Sequence, residues 1–245
     1  MNKLPISICF FTSTKGHFKE STYAATLDHL NYQIPLSEFG ALYSHIKISP
    51  GEEELATKMR IDLERRGFFV EDTTASWTRG AEHQVEYLKD MRKASNSSIL
   101  NSQPYMLLLE DDSIMISEKV KLISVLSDMV QFLQSNQNIT STRFIRKPDF
   151  DGGVPVLQRE SNYFYSPYFD FQPAILRFRD FFLANKVLED NWENVVNTQC
   201  EMAMRLALNS LSRSKLNHIV WLPEYTHTVH LGIPNYLEVK KQYNL

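Results

Sequence analysis

The chain has 245 residues, 43% of them hydrophobic and 22% charged, with a formal net charge of −3. That length supports a full core, in one large α/β domain or two small ones, and the composition excludes a disordered chain. The slight negative charge excludes an electrostatic case for nucleic acid or an anionic membrane as the main partner, and two cysteines, Cys9 and Cys200, make no disulfide framework.

The run Ile6-Ser7-Ile8-Cys9-Phe10-Phe11 is too short for a signal-peptide core and no small-residue cleavage site follows it. No segment approaches the ~20 apolar residues that cross a bilayer, so no transmembrane segment is expected. The chain reads as cytoplasmic, or peripheral to a membrane. Two sequons, Asn96-Ser97-Ser98 and Asn138-Ile139-Thr140, carry little weight without a secretory signal.

Residues 6–12 read as a first strand that runs into Thr12-Ser13-Thr14-Lys15-Gly16-His17. Small hydroxyl residues and a glycine after a buried strand suit a loop that offers backbone N–H groups to a phosphate or nucleoside. A helix over 20–30 and a strand over 41–48 follow, the strand closed by Ser49-Pro50-Gly51. Helical spacing of Leu55, Met59 and Leu63 predicts a helix over 52–67 with Gly67 near its C-cap. Phe68-Phe69-Val70 reads as a third strand, and 79–94 as a further helix carrying Val85, Leu88 and Met91 on one side.

Tyr105-Met106-Leu107-Leu108-Leu109 is an apolar run without alternation, which suits a strand buried on both faces of a mostly parallel sheet. Glu110-Asp111-Asp112 follows at once, so three carboxylates arrive at the carboxyl edge, where open α/β sheets bind ligands. Adjacent like charges repel, and a hard divalent cation would relieve that repulsion. A solvated acidic turn before a helix capped by Ser117 has the same sequence.

Residues 117–134 form an amphipathic pattern with Val120, Ile123, Leu126, Met129, Val130 and Leu133. A strand over 142–145 and a turn-rich loop over 148–155 come next. The aromatic stretch 162–171 reads as core rather than as a sugar-stacking surface. A short helix after 178–180, a helix over 198–211 and a last buried strand over 219–223 complete the pattern. Alternating strands and helices in the first half predict a Rossmann-like, mostly parallel sheet.

These pieces, in this order, resemble the nucleotide-sugar glycosyltransferases of the GT-A fold, most closely the large inverting family that contains the spore-coat enzyme. Phe10-Phe11-Thr12-Ser13-Thr14 resembles that family's first strand and its nucleoside-holding loop, and Leu107–Asp112 resembles its strand ending in the DXD motif, in a Glu-Asp-Asp variant. The resemblance spans about 6–232. It implies one GT-A-like domain over 1–245: an α/β fold with a nucleotide-sugar-binding half (about 1–113) and an acceptor-binding half (about 114–245) with a smaller mixed β region.

By the same resemblance Thr12, Ser13, Thr14, Arg92, Glu110, Asp111 and Asp112 bind the nucleotide sugar. Asp112 ligates Mn2+ or Mg2+ directly, Asp111 faces the ribose or a metal-bound water, and His230 is a second metal ligand. Glu201, 89 positions after Asp112 (201 − 112), is the implied catalytic base of an inverting transfer, with Asp151 and Asp170 as rivals. The loop 148–162 is the implied lid. The implied partners are a nucleotide-diphosphate sugar, most commonly a UDP-sugar, and a glycan or other hydroxyl acceptor. The nucleoside loop departs from the family in lacking an aromatic beside its threonine, and the base position in lacking a second acid.

Three other readings of the same residues remain. A sugar-phosphate nucleotidyltransferase would share the sheet and the acidic site, but its glycine-rich basic loop is not matched by 12–17. A phosphohydrolase needs a second acid two residues on, and a non-catalytic carbohydrate- or nucleotide-binding module needs no base.

Overall fold

The computed structural model of the chain describes residues 3–14, 23, 34–75, 81–111, 113–116, 119–144, 146–147, 158–166, 169, 171, 173–195, 198–212, 217–221 and 227–230. The helix expected over 20–30, Asp112, the cap Ser117, both rival bases and the first part of the expected lid, 148–157, lie outside those residues.

In chain order the elements are β1 (Leu4–Ser13), β2 (Phe39–Ile48), α1 (Glu53–Arg65), β3 (Phe69–Thr74), α2 (Ala81–Ser95), β4 (Tyr105–Glu110) and β5 (Ser113–Ile116). Then come α3 (Lys119–Ser135), β6 (Ser141–Phe144), β7 (Arg146–Lys147), β8 (Gln158–Arg159), β9 (Tyr163–Ser166) and β10 (Ala174–Arg177). The rest is α4 (Phe178–Asp190), α5 (Trp192–Val195), α6 (Cys200–Leu211), β11 (His218–Trp221) and β12 (His227–His230).

A nine-stranded sheet, in the order β3-β2-β1-β4-β10-β6-β11-β9-β8, organises the chain. Strands β3, β2, β1 and β4 run parallel, as the alternating pattern predicts. Beyond β4 the sheet is mixed: β10 lies antiparallel between β4 and β6, β11 is parallel to β6, and β9 is antiparallel to β11. A three-stranded sheet, β5-β12-β7, accompanies it.

Both faces are covered, which explains the unbroken apolar runs of β1 and β4. Ile6, Ile8, Phe10, Leu107 and Leu109 enter one core with α1 and α3; Cys9, Met106 and Leu108 enter the other with α2, α4 and α6. Each fully buried leucine of β4 contributes roughly 1.5–3 kcal/mol by leaving water. Of the stretch's described rings, Phe164 on β9 and Phe169 and Phe171 beyond it are buried, while Tyr163 and Tyr165 are half-buried on β9.

Helix α1 stops where the sequence places its cap. Gly67 has φ +88°, a region that disfavours a Cβ. Its N–H donates to Glu64 O at 2.9 Å and the Phe68 N–H donates to Leu63 O at 3.1 Å, the paired bonds of a Schellman ending. Several strands differ from expectation. His218–Trp221 is not the last strand, because β12 follows it, and β5, β7, β8, β10 and β12 fall where the sequence predicts no strand. Among the described residues no helix is long and apolar enough to cross a membrane.

Candidate functional site

The carboxyl ends of β1, β2 and β4 open into a cleft of about 320 Å³. Parallel register explains the convergence: Phe11 pairs with His45 on one side and Glu110 on the other, and Ser13 pairs with Lys47. Side chains two apart on a strand share a face. Phe11, His45, Lys47 and Glu110 therefore look toward α2, which closes the cleft with Gln84, Tyr87 and Asp90.

Asp111 is buried just past β4 and is fastened to the end of β1. Its Oδ2 accepts from the Thr12 hydroxyl at 2.5 Å and from the Ser13 backbone N–H at 3.2 Å. Glu110 Oε1 accepts from the Tyr87 hydroxyl. Burial first, and then the charge of Glu110, push the Tyr87 hydroxyl well above its ordinary range, so it remains a donor. The Tyr87 ring is clamped edge-on between Phe11 (5.3 Å between centroids) and Phe171 (5.1 Å). The first two acids of the motif thus have fixed positions on a partly apolar wall.

Glu201 lies in the first turn of α6, exposed, and lines the same cleft. Acids are favoured there by the helix dipole. The start of α6 is held by another helix: the Cys200 N–H donates to the Gln84 side-chain oxygen at 3.1 Å. Burial, followed by the charges of Glu201 and Glu110, pushes the Cys200 thiol up to about 12 and keeps it protonated.

A buried charged network floors the cleft. Lys47 Nζ lies 2.9 Å from both Glu86 and Asp90, and His45 Nε2 is 3.3 Å from Asp90. The Thr73 hydroxyl donates to Asp90 at 2.8 Å. Burial opposes ionisation of Asp90, but hydrogen bonds and charge from His45 and Lys47 outweigh it and hold the carboxyl below the ordinary range.

Of the residues expected at the site, the structure brings Thr12, Ser13, Glu110, Asp111 and Glu201 to one cleft. Thr14 is buried beside it and faces β2, its hydroxyl accepting from the Ser49 N–H at 2.8 Å. Arg92 is placed elsewhere: it is exposed, does not line the cleft, and pairs with Glu189 of α4. The β12–β5 register sets the backbone of His230 opposite Ser113, the residue after Asp112. A carboxylate and an imidazole belong to the donor types that Mn2+ accepts. Among the described residues no cluster of three metal-binding side chains occurs.

His45, Lys47, Gln84, Tyr87, Asp90 and Phe171 were not expected in the lining. One signal was available in the sequence: Tyr43, His45 and Lys47 recur at every second position of an otherwise apolar strand, which marks a polar face.

A crystal structure of GalNAc-T7 with UDP, GalNAc and Mn2+ superposes on 92% of this chain with a TM-score of 0.54 at 9% identity. The chain has a GT-A-like fold. It spans 42% of the length of that GalNAc-T7 chain. A crystal structure of mannose-1-phosphate geranyltransferase from Thermus thermophilus matches 91% of the chain at 10% identity, with a TM-score of 0.48. No protein-family model and no curated protein sequence matches the chain.

Proposed function

We propose that the chain is a metal-dependent glycosyltransferase that moves a sugar from a nucleotide diphosphate to an acceptor hydroxyl with inversion. The observation that carries this reading is the convergence, on one cleft of a GT-A-like sheet, of the β1 end, the Glu110-Asp111 end of β4 and Glu201. The GalNAc-T7 structure was determined with UDP, GalNAc and Mn2+, which supports a UDP-sugar and a divalent ion here.

Asp112 and His230 would hold the Mn2+ or Mg2+ ion. When bound, that ion neutralises charge on the departing diphosphate. Thr12, Ser13 and Asp111 orient the nucleoside, with Asp111 fixed in advance by its two bonds to β1. Phe11, Tyr87 and Phe171 keep one wall of the cleft dry, which strengthens the electrostatic contacts within it. Lys47 adds a positive charge at the floor. Glu201 takes the acceptor's proton as its oxygen bonds to the anomeric carbon and the bond to the diphosphate breaks. Arg92, paired with Glu189 of α4, stands outside the lining of this cleft.

Calorimetric titration with UDP, GDP and dTDP, with and without Mn2+, tests the reading. One nucleotide should bind at least about tenfold more tightly with metal, and Asp112→Ala should abolish that gain without lowering the melting temperature. Glu201→Gln should retain binding and lose transfer. Binding of no nucleotide, or a metal effect that survives Asp112→Ala, would overturn it.

A further inference from the structure

A second cavity, of about 730 Å³, opens at the opposite edge of the sheet. The cleft lies at the Glu110 end of β4 and this groove at the Tyr105 end, so the strand separates them by roughly 17 Å. Its walls are the turn after α2, the segment leading into β4, and the first turn of α4. No part of the transfer chemistry proposed above uses it.

The lining has a consistent chemistry. Neutral donors and acceptors dominate, with Ser97 and Asn101 among them, and the Phe178 and Phe182 rings give it apolar edges. Among the described lining residues there is no carboxylate, while there are two guanidinium groups. One is committed: Arg177 donates to the carbonyls of Ile139, Leu133 and Asn136 and pairs with Asp180, and so ties α3 to β10. The other, Arg179, is exposed and has no ion-pair or hydrogen-bond partner among the described residues.

Two further groups point to an occupant. Ser97 is 8% exposed and Tyr105 7%, both line the groove, and neither side-chain hydroxyl bonds to another described residue. Both oxygens reach solvent, so each is open to a hydrogen-bonding partner in the groove. An apolar ligand would leave both unmet, and a cation would face Arg179. A polyhydroxylated ligand bonds to hydroxyls and amides and lies against aromatic edges, and an acid group on it would be held by Arg179 and the first turn of the 13-residue helix α4.

We propose that this groove is a second binding site, separate from the cleft, for a carbohydrate bearing one acidic group. A cavity of this size accommodates a disaccharide. The site does not depend on the transferase reading, because none of its residues belongs to the cleft.

Saturation-transfer NMR and calorimetric titration of the full chain with uronate- and sialate-containing disaccharides, each beside its uncharged counterpart, test the proposal. At least one acidic disaccharide should bind, and more tightly than its neutral partner. Arg179→Ala should weaken that binding about tenfold or more and remove the preference for acid. Asn101→Ala, at another exposed position, should weaken acidic and neutral forms alike, and Tyr105→Phe should do so without unfolding the chain. Asp111→Asn, in the cleft, should leave binding unchanged. The proposal is overturned if no disaccharide in the panel binds, so that water alone fills the groove. It is equally overturned if Arg179→Ala and Asn101→Ala bind as the parent does, or if Asp111→Asn abolishes binding and so places the ligand in the cleft.

Discussion

Lys47 holds its ammonium 2.9 Å from each of two carboxylates, Glu86 and Asp90, with all three side chains largely removed from solvent. Removing the cation would leave two buried like charges facing each other, and breaking such a pair destabilises a fold by about 3–5 kcal/mol. Lys47→Met should therefore lower the unfolding free energy from urea titration by an amount of that order at pH 7. Asp90 also fixes the sign of the acid dependence: its folded pKa is depressed, so the stability it supplies is present above the unfolded value and fades as pH falls through the lower folded one. The penalty of Lys47→Met should accordingly shrink below about pH 4, where protonation relieves the repulsion. Denaturant titrations of both proteins at pH 7 and pH 3.5 would show it, and equal stability at pH 7 would mean that the pairs contribute nothing.

The elements show which parts of the chain announce themselves. β4 is legible because five apolar residues followed by three acids have one economical explanation, a buried strand delivering charge to the sheet edge. β10 is not, although Ala174, Ile175 and Leu176 are fully buried in the middle of the sheet. Four residues are too few to display a period, and its position between β4 and β6 is a tertiary fact. β5 and β12 are hidden for the same reason, and their pairing joins residues far apart in sequence. The tie between α2 and α6 is likewise invisible in the chain, since Gln84 reads as one more polar position on a helix. Its side chain accepts from the first N–H of α6 and so anchors the turn that carries Glu201. Gln84→Ala should cost about 1 kcal/mol, as the loss of a helix cap does. If Glu201 is aligned by this bond, kcat should fall more than KM rises, and Gln84→Glu, which keeps the acceptor, should restore much of the loss. An unchanged kcat with the same loss of stability would leave Gln84 a structural cap.

Across the whole molecule, α6 is fastened at both ends, and the fastening far from the cleft gives the fold a pH response. There His218 of β11 is buried between two neutral partners: Ser141 Oγ lies 2.8 Å from Nδ1 and Asn209 Oδ1 of α6 lies 3.0 Å from Nε2. An amide oxygen can only accept, so Nε2 carries the proton and Nδ1 accepts from Ser141. Burial first, then the charges of Arg143 and Arg205, push the imidazole down to about 3. A histidine near 6.5 in the unfolded chain and near 3 in the folded one binds its proton first when unfolded, so acid favours unfolding across that interval. The contribution is full above about pH 6.5 and erodes by about 1.4 kcal/mol per pH unit below it, before Asp90 begins to matter. His218→Gln can still donate to Asn209 but cannot take up a proton. It should be less stable than the parent at pH 7 and should lose less stability between pH 6.5 and 4.5, so that the two urea-derived curves converge. Parallel curves over that range would assign the acid sensitivity to groups other than the one that joins β11 to the helix bearing Glu201.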